Sequence, residues 1–204
     1  MLPIPKRMPA SQIAIIILAA GRSSRLGRPK QLMEYRGQTL IHHAVESALN
    51  SSLRPIIVVT SPGLVDPIRK EVADKDVDIL TNTECEIGMS SSIRMGLSHA
   101  VSMIPEIDAV ILGLCDQPHV TSETFTRLAE KYRNERKPIV ASEYSDTLGV
   151  PALFDRSMFD ELLALTGDRG AKCLFSKHAA NVARVASPEA AFDIDSAEDL
   201  KYTK

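Results

Sequence analysis

Apolar positions along the chain follow two patterns, short continuous runs and longer stretches with helical spacing. Continuous β-branched runs of this length are typical of strands buried on both faces. They predict strands at residues 13–18, 55–60, 77–80, 109–114 and 138–141. Helical spacing, with capping residues at the starts, predicts helices between them at residues 39–50, 62–74, 90–103 and 121–134.

The pattern becomes less regular after Ser142. Residues 155–165 and 171–178 have helical spacing, and residues 181–185 and 192–194 look extended. Ser196 and Asp199 have the spacing of a capping box that would begin a last helix. Repeated strand–helix units predict an α/β fold with three layers and a mostly parallel sheet. We expect one domain over residues 1–204, with residues 1–11 as a flexible tail.

Composition and charge exclude few functions. The 24 basic and 26 acidic residues give a net charge of -2, which does not favour nucleic acid or an anionic membrane as a partner. The cysteines, Cys85, Cys115 and Cys173, are widely spaced, so a reducing cytoplasm is expected rather than a disulfide framework. The apolar run at residues 13–20 is shorter than the ~20 residues of a membrane span. We interpret this run as a strand, and a signal peptide is the alternative.

A glycine-rich basic loop follows the first predicted strand. From Gly21 to Arg36, one acidic residue accompanies five basic ones, which are Arg22, Arg25, Arg28, Lys30 and Arg36. Ligands of open α/β sheets bind at the carboxyl ends of strands, and glycines let backbone N–H groups approach phosphate. We therefore expect phosphate binding, with Arg25 and Lys30 adding charge. The alternative is a solvated basic turn, because the loop matches neither G-x-G-x-x-G nor Walker A.

An acidic loop follows the predicted strand at residues 109–114. Asp116 should emerge at the same sheet edge as the basic loop, where a carboxylate could hold Mg²⁺. The alternative is an aspartate that shapes the turn before Pro118. Asp193 and Asp195 lie at the end of another extended segment. Asp195 is a candidate second ligand, with Asp193 as the alternative, unless Asp195 only interacts with a helix N-terminus.

A third candidate loop is the segment Glu86-Ile-Gly-Met-Ser-Ser-Ser92. Its glycine and serines suit close contact with a ribose or base. A serine-capped helix start would explain the same residues, and the two interpretations are compatible.

Six motifs occur in order, LAAGRSSRLGRPKQL, GMSSSIRMGL, LCDQPHVT, GVPALF, GDRGAK and DIDSAEDL. Over residues 13–200 they resemble the molybdenum cofactor guanylyl- and cytidylyltransferase group of nucleotidyltransferases. The GMSSS-x-R-x-G and GDRGAK motifs look closer to the cytidylyl branch. So does Ala20, because the guanylyl branch usually has glycine there.

The resemblance implies a Rossmann-like nucleotidyltransferase fold and transfer of CMP from CTP, or another triphosphate, to a phosphorylated pterin-type acceptor. Molybdopterin cofactor would be the acceptor, Mg²⁺ the cofactor, and a recipient molybdoenzyme a further partner. The implied catalytic residues are Arg25, Lys30 and Asp116, with Asp116 and Asp195 as metal ligands. Nucleotide-binding residues would be Leu18, Ala19, Ala20, Gly21, Arg25, Lys30, Gly88, Met89 and Ser90. Acceptor-binding residues would be Gly149, Pro151, Gly167, Asp168 and Gly170.

Two positions depart from the family pattern. Cys115 stands where glycine usually precedes the D-Q-P triplet, and Val150 stands where His or Asn is common. With Val150, the chain lacks a polar side chain that could recognise the acceptor. Alternative functions are guanylyl transfer, a sugar-phosphate or isoprenoid-precursor nucleotidyltransferase, and a non-catalytic nucleotide-binding chaperone of molybdoenzyme assembly. Pyrophosphate release in the presence of acceptor separates the enzymes from the chaperone.

Overall fold

A seven-stranded sheet with helices on both faces forms the part of the chain that the computed structural model describes, residues 11–21, 27–194 and 199. The strands within these ranges are β1 (Ile13–Ala19), β2 (Glu34–Tyr35), β3 (Gln38–Thr39), β4 (Ile56–Thr60), β5 (Asp78–Thr81), β6 (Ala109–Leu114), β7 (Ile139–Tyr144), β8 (Thr147–Asp155) and β9 (Val182–Ala186). The α-helices are α1 (Leu40–Leu49), α2 (Val65–Glu71), α3 (Met89–Met103), α4 (Ser122–Glu135), α5 (Phe159–Leu163) and α6 (Lys172–Lys177). None of these helices is long and apolar enough to cross a membrane.

The strand order of the main sheet is β5-β4-β1-β6-β8-β7-β9. Strand β8 is antiparallel to both of its neighbours, and every other pairing in this sheet is parallel. The carboxyl ends of β1, β6 and β7 therefore meet at one edge, together with the amino end of β8. The loops that leave these ends are brought together there, which is where ligands of open α/β sheets bind.

Two apolar clusters, one on each face of the sheet, give the predicted three layers. Every residue of β1 is buried, and alternate side chains point to opposite faces. Ile15 and Ile17 pack with Val45 of α1 on one face, whereas Ile16 packs with Leu97 of α3 on the other. The prediction of an α/β fold with a mostly parallel sheet is thus confirmed.

Strand β8 is the main element that the hydrophobic pattern did not predict. Gly149 and Pro151 interrupt its apolar run, and both residues are unfavourable inside strands. The predicted helix at residues 155–165 was wrong at its start, because Asp155 ends β8 and α5 covers only Phe159–Leu163. The predicted helix at residues 62–74 is likewise shorter, since α2 covers only Val65–Glu71 after a 3-10 turn.

The C-terminal segment also differs from the prediction. Residues 192–194 form no strand, although the Ile194 N–H donates a hydrogen bond to the carbonyl of Asp116 at 3.0 Å. The short hairpin of β2 and β3 was not predicted either. The helix expected after Ser196, apart from residue 199, and all but the last residue of the predicted tail at residues 1–11 lie outside the described residues.

Gly96 sets the distance between α3 and the sheet. A Cβ atom at this position would lie 2.5 Å from Ile16 Cγ2 in β1 and 3.2 Å from Val59 Cγ2 in β4. Both side chains are fully buried, so neither has free space into which it could move. The helix can approach the central strands this closely only because residue 96 has no side chain.

We expect Gly96→Ala to lower the free energy of unfolding by about 1–2 kcal/mol, measured by urea denaturation. Overpacking costs about 1–3 kcal/mol, which exceeds the ~1 kcal/mol that alanine gains over glycine in a helix. Ser98→Ala, at an exposed position of the same helix, is the control and should leave stability unchanged or slightly raised. A Gly96→Ala protein as stable as the parent would show that α3 is not held this close to the sheet.

Candidate active site

The far end of the basic loop lies beside the carboxyl end of β1, the strand after which the loop begins. Gln31 Nε2 donates hydrogen bonds to the carbonyls of Ala19 at 2.7 Å and Gly21 at 2.9 Å. Gln31 is 2% exposed, and its Oε1 has no hydrogen-bond partner. The two ends of the loop are therefore fixed side by side at the carboxyl end of β1. Arg25, predicted to bind phosphate, lies outside the described residues.

A cleft of about 460 Å³ opens beside this loop. Its size is in the range of small-molecule binding sites. One wall is the glycine-rich loop and the other comes from segments that follow β4 and β5. The lining residues are Ala20, Gly21, Gly27, Arg28, Pro29, Gln31, Ser61, Gly63, Leu64, Cys85 and Glu86.

An ion pair joins the basic loop to the acidic loop. Lys30 Nζ lies 2.9 Å from Asp116 Oδ2, and the two side chains are 13% and 21% exposed. The other carboxylate oxygen, Asp116 Oδ1, is buried without a hydrogen-bond partner. An unpaired buried carboxylate oxygen suits a hard cation such as Mg²⁺. The structure thus brings together two residues that are 86 positions apart in the sequence and were predicted to share a site.

The described part of the chain contains no group of three or more His, Cys, Asp or Glu residues that could hold a metal. A cation at Asp116 would therefore need oxygen ligands from elsewhere, such as substrate phosphates. Asp195, the predicted second ligand, lies outside the described residues.

Aromatic residues fix the acidic loop on its other side. His119 stacks on Phe192 with ring centroids 4.7 Å apart, and its Nε2 is 2.7 Å from the hydroxyl of Tyr35. Burial lowers the pKa of His119, and the positive charge of Arg36 lowers it further, so the ring is neutral near pH 7. His119 was not predicted to take part, because nothing in the sequence places Tyr35 or Phe192 beside it.

Cys115 precedes Asp116 and is buried. Burial raises the pKa of its thiol strongly, and the negative charge of Asp116 raises it further. The thiol therefore stays protonated and does not serve as a nucleophile.

The loop at Gly88 interlocks with the loop at Gly167. Gly88 has a φ of 116°, which disfavours other residues, and a Cβ atom there would lie 2.5 Å from the carbonyl carbon of Gly167. The same atom would clash with the Asp168 carboxylate. The backbone N–H of Ser90 donates to the Gly167 carbonyl at 3.3 Å. A predicted nucleotide-binding loop and a predicted acceptor loop are therefore in direct backbone contact.

The side chains around this junction extend the contact. Met89 Sδ would lie only 2.9 Å from a Cβ atom at Gly170, so that glycine makes room for the methionine. Arg94 Nη1 donates to the carbonyl of Leu165 at 2.7 Å, which fixes the start of the predicted acceptor loop against α3. Met89 itself is 41% exposed and so presents an apolar surface at the rim of the site.

The serines after Met89 point into the protein. Asn82 Nδ2 donates hydrogen bonds of 2.9 Å to the hydroxyls of both Ser91 and Ser92. Ser90 is fully buried, and its N–H is already used by Gly167. These residues shape the loop through internal contacts, and a direct contact of Ser90 with nucleotide stays a prediction.

The remaining acceptor candidates, Gly149 and Pro151, lie on β8 beside the acidic loop. Gln117 Nε2 donates to the carbonyl of Val150 at 3.2 Å, and Ser142 Oγ donates to that of Pro151 at 2.7 Å. The five predicted acceptor residues thus form two groups. One group adjoins Gln117, and the other adjoins Gly88 and Met89.

Comparisons with known proteins show the family and the fold of the chain. A family model described as a MobA-like NTP transferase domain matches residues 15–182. A probable molybdenum cofactor guanylyltransferase of Bacillus cereus is 30% identical over 130 residues, or 64% of this chain and 62% of that protein. The chain therefore matches less than two thirds of that relative's length.

Solved structures match over nearly the whole chain. Rv0371c from Mycobacterium tuberculosis is 30% identical, with a TM-score of 0.79 and coverage of 95% of this chain and 97% of that one. A structure of the same mycobacterial protein in complex with manganese is 28% identical, with a TM-score of 0.78 and coverage of 95% and 98%. The family model matches more than half of the chain, and the chain therefore belongs to the MobA-like NTP transferase domain family.

Proposed function

We propose that the protein is a divalent-cation-dependent nucleotidyltransferase that moves a nucleoside monophosphate from a triphosphate to a phosphorylated pterin-type acceptor, with release of pyrophosphate. The Lys30–Asp116 pair at 2.9 Å carries this proposal, because it joins a phosphate-binding cation to a metal-binding carboxylate. Family membership supports the reaction class. The name of the Bacillus cereus relative, a probable molybdenum cofactor guanylyltransferase, supports the acceptor.

In this reaction an acceptor phosphate oxygen attacks the α-phosphorus in line. A new P–O bond forms as the bond to the pyrophosphate oxygen breaks. A phosphate monoester is largely dianionic near pH 7, so the attacking group needs no general base. Lys30 would neutralise charge on the triphosphate, and the loop at Gly21 would orient it through backbone N–H groups. Arg25 would add a second positive charge.

The unpaired Asp116 Oδ1 fits a divalent cation, and we propose Mg²⁺ as the physiological one. When bound, the ion would neutralise developing charge and orient the phosphates. The manganese complex of Rv0371c supports a divalent cation without distinguishing magnesium from manganese. We also propose Asp195 as the second ligand, with Asp193 as the alternative.

The base is the point at which the sequence and the relatives disagree. Ala20 and the GMSSS motif suggested CTP, whereas the curated relatives are named as guanylyltransferases. We therefore propose GTP as the favoured substrate. CTP is the second candidate, because Ala20 lines the cleft and its methyl group would narrow the space for a purine.

Lys30→Ala should lower kcat/KM about 10²–10³-fold while the fold is kept. One preorganised donor that acts on developing charge is typically worth this much. The measurement is steady-state pyrophosphate release with GTP, CTP and metal-free molybdopterin. Lys131→Ala removes the same charge on α4, where Lys131 pairs with Glu135, and should have normal turnover. Unchanged turnover in Lys30→Ala would exclude a role for Lys30 on the phosphates.

Asp116→Asn should raise the Mg²⁺ concentration needed for half-maximal turnover at least tenfold and lower the maximal rate. The amide keeps the shape of the side chain but loses the charge that holds a hard cation. Titrations with Mg²⁺ and Mn²⁺ measure the effect, and Asp66→Asn on α2 is the exposed control. If Asp116→Asn needs no more cation than the parent, Asp116 is only a turn residue.

In a competition at equal concentrations, GMP should be incorporated in preference to CMP. A hydrogen-bonding pocket can discriminate about 10⁴-fold, whereas a steric preference reaches only about 10–200-fold. Ala20→Gly tests the steric contribution separately and should shift the ratio further toward GTP. Preferential incorporation of CMP would contradict the guanylyl assignment and leave nucleotidyl transfer standing. An unchanged ratio in Ala20→Gly would show that the methyl group does not affect base choice.

A further inference from the structure

A buried glutamine directly follows each residue of the Lys30–Asp116 pair. Gln31 comes after Lys30 and Gln117 comes after Asp116, on two loops that are 86 positions apart in the sequence. Both glutamines are buried, although glutamine is usually an exposed residue. The same uncommon feature therefore occurs twice, at the same place relative to a residue of the site.

Gln31 holds the basic loop through both hydrogens of its side-chain amide. Its Nε2 donates to the carbonyls of Ala19 and Gly21, at 2.7 and 2.9 Å. Lys30 begins a single 3-10 turn that ends at Leu32. A turn this short has few hydrogen bonds of its own, so the contacts of Gln31 tie it to the end of β1.

Gln117 holds the acidic loop in the same way. Its Nε2 donates to the carbonyl of Val150 in β8 at 3.2 Å and to that of Ala190 at 2.8 Å. Strand β6 ends at Leu114, so Asp116 lies in a turn beyond the strand. Gln117 therefore joins this turn to two segments that are distant in the sequence.

The two amides have one orientation, and it lowers stability. Turning either amide over would place its oxygen against two carbonyl oxygens, so the hydrogen bonds identify the nitrogen. The Oε1 atoms of both glutamines are then buried without a hydrogen-bond partner in the described part of the chain. An unpaired buried acceptor is destabilising. Fold stability alone therefore does not explain glutamine at both positions.

Fixing one side chain also restricts the direction of the side chain before it. Only two soft torsions separate neighbouring Cα atoms, because the peptide bond is planar. Since each glutamine is held at the end of its side chain, these torsions have little freedom. This restriction favours the observed 2.9 Å between Lys30 Nζ and Asp116 Oδ2.

We propose that Gln31 and Gln117 are positioning residues for the two halves of the site. Gln31 acts on phosphate binding through Lys30, and Gln117 acts on cation binding through Asp116. The proposal rests on the proposed function and deepens it, because it assigns each glutamine to a different ligand of the same site.

The test is a pair of substitutions, Gln31→Met and Gln117→Met. Methionine is similarly long and unbranched but has no hydrogen-bond donor. Calorimetry measures the Kd for GTP, with CTP in parallel, once in the presence of a chelator and once with saturating Mn²⁺. The ratio of the two constants is the gain in affinity that the cation supplies.

The two variants should fail in different measurements. Gln31→Met should raise the Kd for cation-free triphosphate about 3–10-fold, because Lys30 is no longer held against the phosphates. It should not lower the gain from Mn²⁺, since the charge of Lys30 repels a cation. Gln117→Met should lower the gain from Mn²⁺ about 3–10-fold. It should not raise the cation-free Kd, since Asp116 repels phosphate.

Tyr132→Phe is the matched control for the loss of a buried hydrogen bond. The Tyr132 hydroxyl donates to Asp155 Oδ2 at 2.6 Å, at the end of β8. This variant should lower thermal stability and leave both constants unchanged. If a methionine variant does not fold, Gln31→Asn and Gln117→Asn replace the pair. Their amides are one methylene shorter and do not reach both carbonyls, so the same pattern is expected.

The outcomes separate this proposal from the proposed function. Unchanged constants in both glutamine variants, or an equal loss in both measurements by both variants, would overturn the positioning roles. If the two variants fail in different measurements but the parent releases no pyrophosphate with any triphosphate, the positioning roles stand and the reaction fails. If the parent binds neither GTP nor CTP, both proposals fail together.

Discussion

The ion pair between Lys30 and Asp116 depends on the placement of β1 next to β6. Both strands are buried on both faces, and their parallel register, with Leu18 opposite Leu114, brings their carboxyl ends level. A basic loop that leaves one strand and an acidic loop that leaves the other must then meet. Reversing either strand would move its loop to the opposite edge, which is why the direction of the strands matters more to this site than any single contact.

Around that pair, the other loops are held by contacts within the protein. Gln31 fixes the basic loop, and the stack of His119 on Phe192 fixes the acidic loop. Gly88 lets its own loop, which is predicted to bind nucleotide, pack against Gly167. Catalysis by positioning needs such rigidity, because misplacement by about 1 Å can cost about 10²-fold in rate. The glycines at 88 and 149 serve this packing, since each leaves space for a neighbouring loop or side chain.

The parts of the fold that the sequence predicted are those whose pattern is local. Strand β1 is a continuous β-branched run, and Thr121 begins α4 with a capping box. Both elements could therefore be predicted from the local sequence alone. Strand β8 could not, because Gly149 and Pro151 break its pattern and its stability comes from pairing with β6 and β7. The same limit applies to the site. Lys30 and Asp116 were predictable because each follows a strand, whereas the contacts of Gln117 depend on how distant segments pack.

The central claim is most directly tested by transfer of α-³²P-labelled nucleotide to metal-free molybdopterin by the parent protein with Mg²⁺. All four triphosphates are supplied separately, and chelation of the cation is the control. We predict that label appears on the pterin together with an equal amount of pyrophosphate, and that both products disappear on chelation. Binding of nucleotide and molybdopterin without pyrophosphate from any triphosphate would contradict the account and favour a non-catalytic nucleotide-binding protein.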